Sequence, residues 1–447
     1  MKDIRLAIIG GGSRAWAIQF LKDVTLQDQL KVHFALYDIE KQAAINNVSV
    51  ASEIFRINKK EGQFTVSVED TIDNALKGAD FVIITIEPGI MICRYGDLVL
   101  PDQYGVLQTV GDTTGPGGIM RARRAVPLFI EFAKAIERNC PEAWVINYTN
   151  PMTLCTAALY KGFPKIKALG CCHEVFHVQE YIAKLVGEWY GIPQPDRRDI
   201  KIDVTGINHF TFITKALYKG VDLMPRIKEL ALRDDSYPDL TEYSKDLISK
   251  EAYFTCQHKV ALSFLRDYGA LGAAGDRHLA EFVPFYLQDE ETPLRYGFTR
   301  TPYEFRVAKD KKKKEKQYTE EELVAKPSDE EGLDILLSLT GNRSLRTNIN
   351  RPNQGQISYL PLGRIVESNG FISENSIEPI VSTDPPLGVQ NLVRRISDQQ
   401  EVILDAILSN DNERLFEAFL TDPLMNLPRD KARELFDKML VASELKY

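Results

Sequence analysis

The chain is poor in the features that mark several large protein classes. It has six cysteines in 447 residues, too few for a disulfide framework at this length, so the thiols are expected to be reduced and the protein cytoplasmic. It has no apolar run near the roughly 20 residues that cross a bilayer, which argues against a membrane protein. It has no basic excess. The formal net charge is -8, whereas a nucleic-acid binder normally presents a basic face. The opening residues, MKDIRLAIIGGGS, put a strand and a glycine turn where a secretory leader needs an apolar region and a cleavage site. It shows no internal repeat. What is present is ordinary for a globular protein: 44% hydrophobic and 26% charged residues, with length enough for two substantial lobes.

The first half carries its chemistry in contiguous letters. Residues 4–9, IRLAII, are a short apolar run, followed at once by Gly10, Gly11, Gly12, Ser13, Arg14 and Ala15 and then by the helix-like WAIQFLKDV. A G-x-G-x-x-A turn between strand and helix lets the backbone approach a pyrophosphate, while the helix N-terminus supplies amide donors. The next strand, KVHFALYD, ends in Asp38. A carboxylate there suits both ribose hydroxyls and repels a 2′-phosphate, so the expected cofactor is NAD rather than NADP. FTVSV, DFVIITI, AWVIN and KIKALG read as further strands with helical segments between them. Glu87 closes DFVIITI and is placed, with Gly10–Arg14 and Asp38, among the cofactor contacts. The alternation predicts an α/β fold. A Rossmann-like doubly wound parallel sheet is expected over residues 1–200, with a second α+β domain for substrate and oligomerisation over 201–447.

Residues 171–177 read CCHEVFH. The last five letters fit H-E-x-x-H, in which two histidines one helical turn apart bind zinc and the glutamate acts as base; here these are His173, His177 and Glu174. A second pairing draws a thiolate from Cys171–Cys172 and the imidazole of His209, which lies in IDVTGINHFTF, read as a strand broken by Gly206. Two protein ligands are too few for a structural zinc site but suit a divalent ion completed by its substrate.

GGGS with Asp38, VGDTTGPGG (110–118), NYTNP (147–151), GCCHE (170–174), GINHF (206–210) and AAGDRH (273–278) occur in this order over most of the chain. The ensemble resembles glycoside hydrolase family 4, the NAD- and manganese-dependent glycosidases, and within it the α-galacturonidases. That resemblance implies hydrolysis of α-galacturonides by temporary oxidation at C3, deprotonation at C2 with metal assistance and elimination of the glycosidic oxygen, with no net redox change, outside the usual two-carboxylate scheme. It implies NAD and Mn²⁺ or another divalent cation as cofactors, with Cys172 and His209 as metal ligands and Cys171 a packed neighbour. His173 follows the metal cysteine and becomes the candidate acid, with Glu174 one residue away. His177 is read as structural. Asp276 falls at the position of the base, with metal ligation or helix capping as its other readings. Asn150, Asn208 and Asp112 are expected at the substrate. A uronic-acid saccharide carries a carboxylate, for which Arg277 and His278 are the first candidates and Arg94 and Arg14 the next. Other outcomes are an α-glucuronidase, an α-galactosidase or α-glucosidase of the same family, a NAD-dependent sugar or hydroxyacid dehydrogenase, a zinc peptidase using HEVFH, and a silent NAD-binding regulator.

Beyond the site, KDKKKKEK (309–316) reads as a solvated loop or helix surface. QISYLPLGRIVESNGFI reads as strands, and Asn350, Asn353 and Gln354 as a polar turn that could enter the sugar site. The last third shows apolar residues at three- and four-residue spacing, hence helices, with faces suited to a homodimer or homotetramer. No nucleic-acid or membrane partner is expected.

Overall fold

The computed structural model describes residues 1–233, 246 and 248–444. Six strands, β1 (Lys2–Ile9), β2 (Leu30–Tyr37), β3 (Phe64–Val68), β4 (Phe81–Ile84), β5 (Trp144–Asn147) and β6 (Lys167–Gly170), pair in parallel in the order β3-β2-β1-β4-β5-β6. This is the dinucleotide-fold order, with its crevice beyond the carboxyl ends of β1 and β4. The inner strands are apolar toward their carboxyl ends because each divides its side chains between two cores. Leu6 and Ile8 of β1, Ile83 of β4 and Leu169 of β6 join one core, whereas Ala7, Ile9, Val82, Ile84 and Ala168 join the other.

Seven helices cross between or after these strands: α1 (Trp16–Val24), α2 (Lys41–Ile57), α3 (Ile72–Leu76), α4 (Met91–Gln103), α5 (Gly115–Asn139), α6 (Met152–Gly162) and α7 (Glu174–Tyr190). Helices α1 and α2, with the later helix Gly332–Leu339, cover the first core, while α5, α6, α7 and the C-terminal helices Leu387–Leu408, Asn412–Leu420 and Arg429–Ser443 cover the second. Phe129 at the middle of α5 is fully buried, and truncating such a ring to alanine costs about 3–5 kcal/mol.

The sheet continues past β6 with antiparallel strands. These are β7 (Ile200–Ile207), β8 (Phe210–Tyr218), β9 (Val221–Asp222), β10 (Leu271–Gly272), β11 (Leu345–Pro352), β12 (Ile365–Ser373) and β13 (Ser376–Pro379). β11 meets β6 through Asn350 and Gly170, and the order runs on as β12-β7-β8-β10. Gly170 is required at this junction, since a Cβ there would lie 2.7 Å from Met152 Cγ and 2.9 Å from Asn350 Cβ.

Three sequence expectations change. The run read as broken at Gly206 is a hairpin, with Ile207 paired to Phe210 and Asn208-His209 as its two-residue turn. Such turns demand positive φ, and His209 takes φ 64°. Asn350 lies within β11 rather than in a turn. In QISYLPLGRIVESNGFI only the second part is strand, as β12; Asn353 instead donates to the carbonyls of Ile357 and Leu360 and folds the first part into turns. The lysine-rich run belongs to the helix Tyr303–Glu315, which has no fully buried residue.

Candidate active site

The glycine loop is pressed against the strands. The amides of Gly10 and Gly11 both donate to the Tyr37 carbonyl at 2.9 Å. Gly10 has φ 90°, and a Cβ there would sit 2.0 Å from the Thr85 carbonyl oxygen. Asp38 Oδ2 accepts from the Gly12 amide at 2.8 Å, and Oδ1 accepts from Glu40 N. Asn47 Nδ2 ties the carbonyls of Gly11 and Ser13 together. Bare backbone at a strand end, an acid beside it and a helix just beyond form a cradle that fits a dinucleotide. Arg14 pairs with Glu40 at 3.0 Å, so it serves this loop rather than the sugar. Glu87 pairs with Arg121, whose Nε also donates to the Asn150 carbonyl at 2.8 Å. Glu87 is exposed at the surface, and against some loss of solvation Arg121 and Arg94 hold its carboxyl down at about 2.

Beyond the ends of β5 and β6, three chain segments bring Asp112, His209 and His278 together with ligand atoms all within 4.8 Å of one another. The rings of His209 and His278 lie 4.0 Å apart. Thr113 fixes the tautomer. Its single hydroxyl hydrogen goes to Asp112 Oδ1 at 2.7 Å, so its oxygen accepts from His209 Nδ1–H at 2.8 Å. Nε2 of His209 is then left with its lone pair exposed toward the cluster. Burial and the neighbouring His278 push His209 down to about 3, so it is neutral and able to ligate. Burial disfavours charge on Asp112, yet His278, with Arg121 and Arg94, holds it well below the usual carboxylate range. One hard carboxylate and two imidazoles suit a manganese-like ion. Asp112 and His278, expected at the substrate, thus join His209 in the set able to hold a cation.

Cys172, expected as a metal ligand with His209, is buried and is not among the groups gathered in this cluster. Its thiol contacts the Asn208 amide, and burial with Glu367 and Glu174 nearby raises it well above the ordinary thiol range. Its carbonyl accepts from Asn348 Nδ2 at 3.1 Å, and Asn348 also donates to Glu367 at 2.7 Å. Asn208 and Thr211 donate to the other oxygen of Glu367. Cys171 sits in the apolar core, as a packed neighbour should.

His173 stands at the N-terminus of α7, with Nδ1 3.3 Å from Glu330 and Nε2 3.7 Å from Glu174. Its side chain is partly exposed; some loss of solvation works against its charge, but Glu330 and Glu174 raise it to about 9. It therefore holds a proton at neutral pH. Glu174 Oε2 accepts from Gly275 N at 2.8 Å, and Oε1 lies 3.7 Å from His278 Nε2. His173, Glu174 and His177 also gather within 4.8 Å, with the first paired to Glu330 and the second accepting from Gly275. Asp276 requires a correction. Its carboxylate, expected as the base, accepts the amides of Lys259, Val260 and Ala261 and caps the helix Lys259–Tyr268. It is 1% exposed. Burial raises it to about 6, but it faces a helix end rather than the cleft.

Asn150 Nδ2 donates to Asp112 Oδ2 at 3.3 Å, and its buried Oδ1 has no partner, an acceptor left for a sugar hydroxyl. Arg277 lies 4.9 Å over the Phe254 ring with Nε unpartnered, and Arg94 also keeps an unpartnered nitrogen.

Several positions went unread in the sequence. Glu281 Oε1 accepts the amides of Thr109, Val110 and Gly111 and clamps the loop that carries Asp112. Arg121, Glu330, Glu367 and Asn348 belong to the same class. Each is a common polar residue with no local pattern; only contacts across the fold distinguish it.

Comparison with known proteins matches the chain to two family models, the family 4 glycosyl hydrolase over residues 5–188 and the family 4 glycosyl hydrolase C-terminal domain over 204–425. An α-galacturonidase of Bacillus subtilis is 43% identical, covering 98% of this chain and 97% of its own. The crystal structure of a putative glucosidase of the same organism superposes with TM-score 0.90 at 42% identity, covering 98% of this chain and 100% of the other. A 6-phospho-α-glucosidase from gut microorganisms, solved in complex with NAD and Mn²⁺, shares the fold with TM-score 0.78 at 21% identity, covering 98% of each chain.

Proposed function

The chain belongs to family 4 of the glycosyl hydrolases, and we propose that within it the protein cleaves α-linked galacturonides with NAD and a divalent cation, Mn²⁺ by preference. The observation that carries the substrate is the 43% identity to an α-galacturonidase over nearly the whole of both chains. When bound, NAD supplies a reversible hydride acceptor and the cation a Lewis acid beside the sugar's vicinal oxygens. Asp112, His209 and His278 hold the cation, and Cys172 closes the same corner. Gly10–Gly12, Ser13, Arg14, Asp38 and Glu87 line the nucleotide side. His173, kept cationic by Glu330 and Glu174, holds the proton for the leaving oxygen. Asn150 Oδ1 accepts from a sugar hydroxyl, with Asn208 behind the cation corner. Arg277 and Arg94 face the carboxylate. Residues 1–200 and 201–447 act as cofactor and substrate domains. The enzyme is cytoplasmic, works on saccharides from pectin, and assembles as a homodimer or homotetramer.

The test is cleavage of an aryl α-galacturonide with NAD, Mn²⁺ and a thiol reductant, each omitted in turn. Leaving-group release that needs every component, with no accumulation of NADH and with a C2 deuteron exchanged into water, is the expected result. Stoichiometric NADH without leaving-group release points to a dehydrogenase and overturns the reading.

A further inference from the structure

Three arginines from three segments meet on one side of the cation cluster. Arg94 comes from α4, Arg277 from the turn beside His278, and Arg306 from the lysine-rich helix Tyr303–Glu315. They are tied to one loop. Arg306 Nη2 donates to the Thr109 carbonyl at 3.3 Å, Thr109 Oγ1 donates to the Arg277 carbonyl, and Arg94 Nη2 lies 3.5 Å from the Val110 carbonyl. Among the described residues none of the three makes an ion pair with a carboxylate. Each leaves one buried guanidinium nitrogen without a partner: Arg94 Nη1, Arg277 Nε and Arg306 Nε. Lys309, one turn along from Arg306, stands 3.9 Å over the Phe254 ring, on which Arg277 also lies.

Other guanidinium groups inside the fold face a carboxylate, although Arg351 too keeps an unpartnered Nε. Arg124 faces Asp97, and Arg197 faces Glu331. Gathering like charges with no carboxylate in contact costs free energy, because they repel and shed water together, and Asp112 and Glu281 nearby offset only part of it. The cost is visible at Arg306, which burial and the nearby Arg94 and Arg277 depress to about 9. A fold keeps such a group where a ligand supplies the missing charge.

We propose that Arg306, with Arg94 and Arg277, forms the carboxylate-recognition site of the substrate, and that Arg306 is its specificity-determining member. This rests on the uronide reading above. The carboxylate belongs to the sugar being cleaved or to a uronate next to it in the chain; the recognising chemistry is shared.

The test is calorimetric titration of the NAD- and Mn²⁺-loaded protein with galacturonate, galactose and digalacturonate, using wild type, Arg306→Met and Arg306→Lys. The expected result is that wild type binds galacturonate well above galactose. Arg306→Met should lose roughly 10- to 100-fold in affinity for the acid and none for galactose, at an unchanged melting temperature. Arg306→Lys should recover part of the loss, since it keeps charge without the fork. A loss confined to digalacturonate assigns the carboxylate to the neighbouring unit. The proposal falls if Arg306→Met binds both acids as wild type does, or if it loses galactose and the acids alike. Tight, Arg306-dependent binding of galacturonate without turnover of any galacturonide sinks the functional reading and leaves the site standing.

Discussion

The glycine loop and the cation cluster hold their polar groups in different ways. In the loop, residues 10–14 are neighbours in sequence, and the working surface is backbone. Its shape depends on side chains being absent, with Thr85 O occupying the space a Cβ at position 10 would need. In the cluster the working atoms are side chains from separate segments. Thr113 and His209 meet across 96 residues, and the loop carrying Asp112 is held by Glu281 from a third segment. The first site is open to damage by adding an atom. The second is open to damage by removing one, or by loosening an anchor far from the metal ligands.

Breaking each site alone gives the largest contrast. His209→Asn keeps the positive-φ turn that asparagine tolerates but removes the imidazole; galacturonide turnover should fall on the order of 10³-fold while NAD affinity, measured by fluorescence, is retained. Gly10→Ala should do the reverse. It costs about 3 kcal/mol of stability in denaturant melts and weakens NAD binding, while Mn²⁺ affinity holds.

The anchors of the Asp112 loop sharpen the contrast through pH. Asp422 accepts the Gly115 amide at the start of α5, and burial raises it from 3.8 to about 6. A carboxyl raised in the folded state favours folding below its unfolded value, and that contribution is lost as pH rises through the folded one. Between pH 4 and 7 the stability difference between Asp422→Asn and wild type should therefore move in the variant's favour, by on the order of 3 kcal/mol. A flat difference across that range breaks the argument. A smaller effect is expected of Thr113→Val, which frees the His209 tautomer and should weaken Mn²⁺ binding roughly 10- to 100-fold with NAD affinity unchanged. Smallest of all, replacing Lys311–Lys314 with alanine should change stability by less than about 0.5 kcal/mol, because these side chains sit on an exposed helix.

Legibility followed the same division. Strand β3 was read at its observed ends because its residues and their turn signals are local. The glycine loop and Asp38 were read for the same reason. His209 was found through its motif, but its turn was placed at Gly206, since hairpin register is set by pairing with a second strand. The letters around Asp276 fit a base, whereas the amides it caps belong to a helix that begins 17 residues earlier. Five of the six histidines lie within electrostatic reach of Glu174, a convergence that no spacing announces.

The sequence by itself determined the α/β order of the first half, the dinucleotide loop and the family motifs, because each depends on neighbours within one turn or one strand. Only the tertiary structure decided which donors gather within reach of one another, which acid is engaged in capping a helix and which arginines, among the described residues, make no ion pair. Those properties come from distance, burial and the sum of nearby charges, and the folded chain sets all three between residues that are remote in sequence.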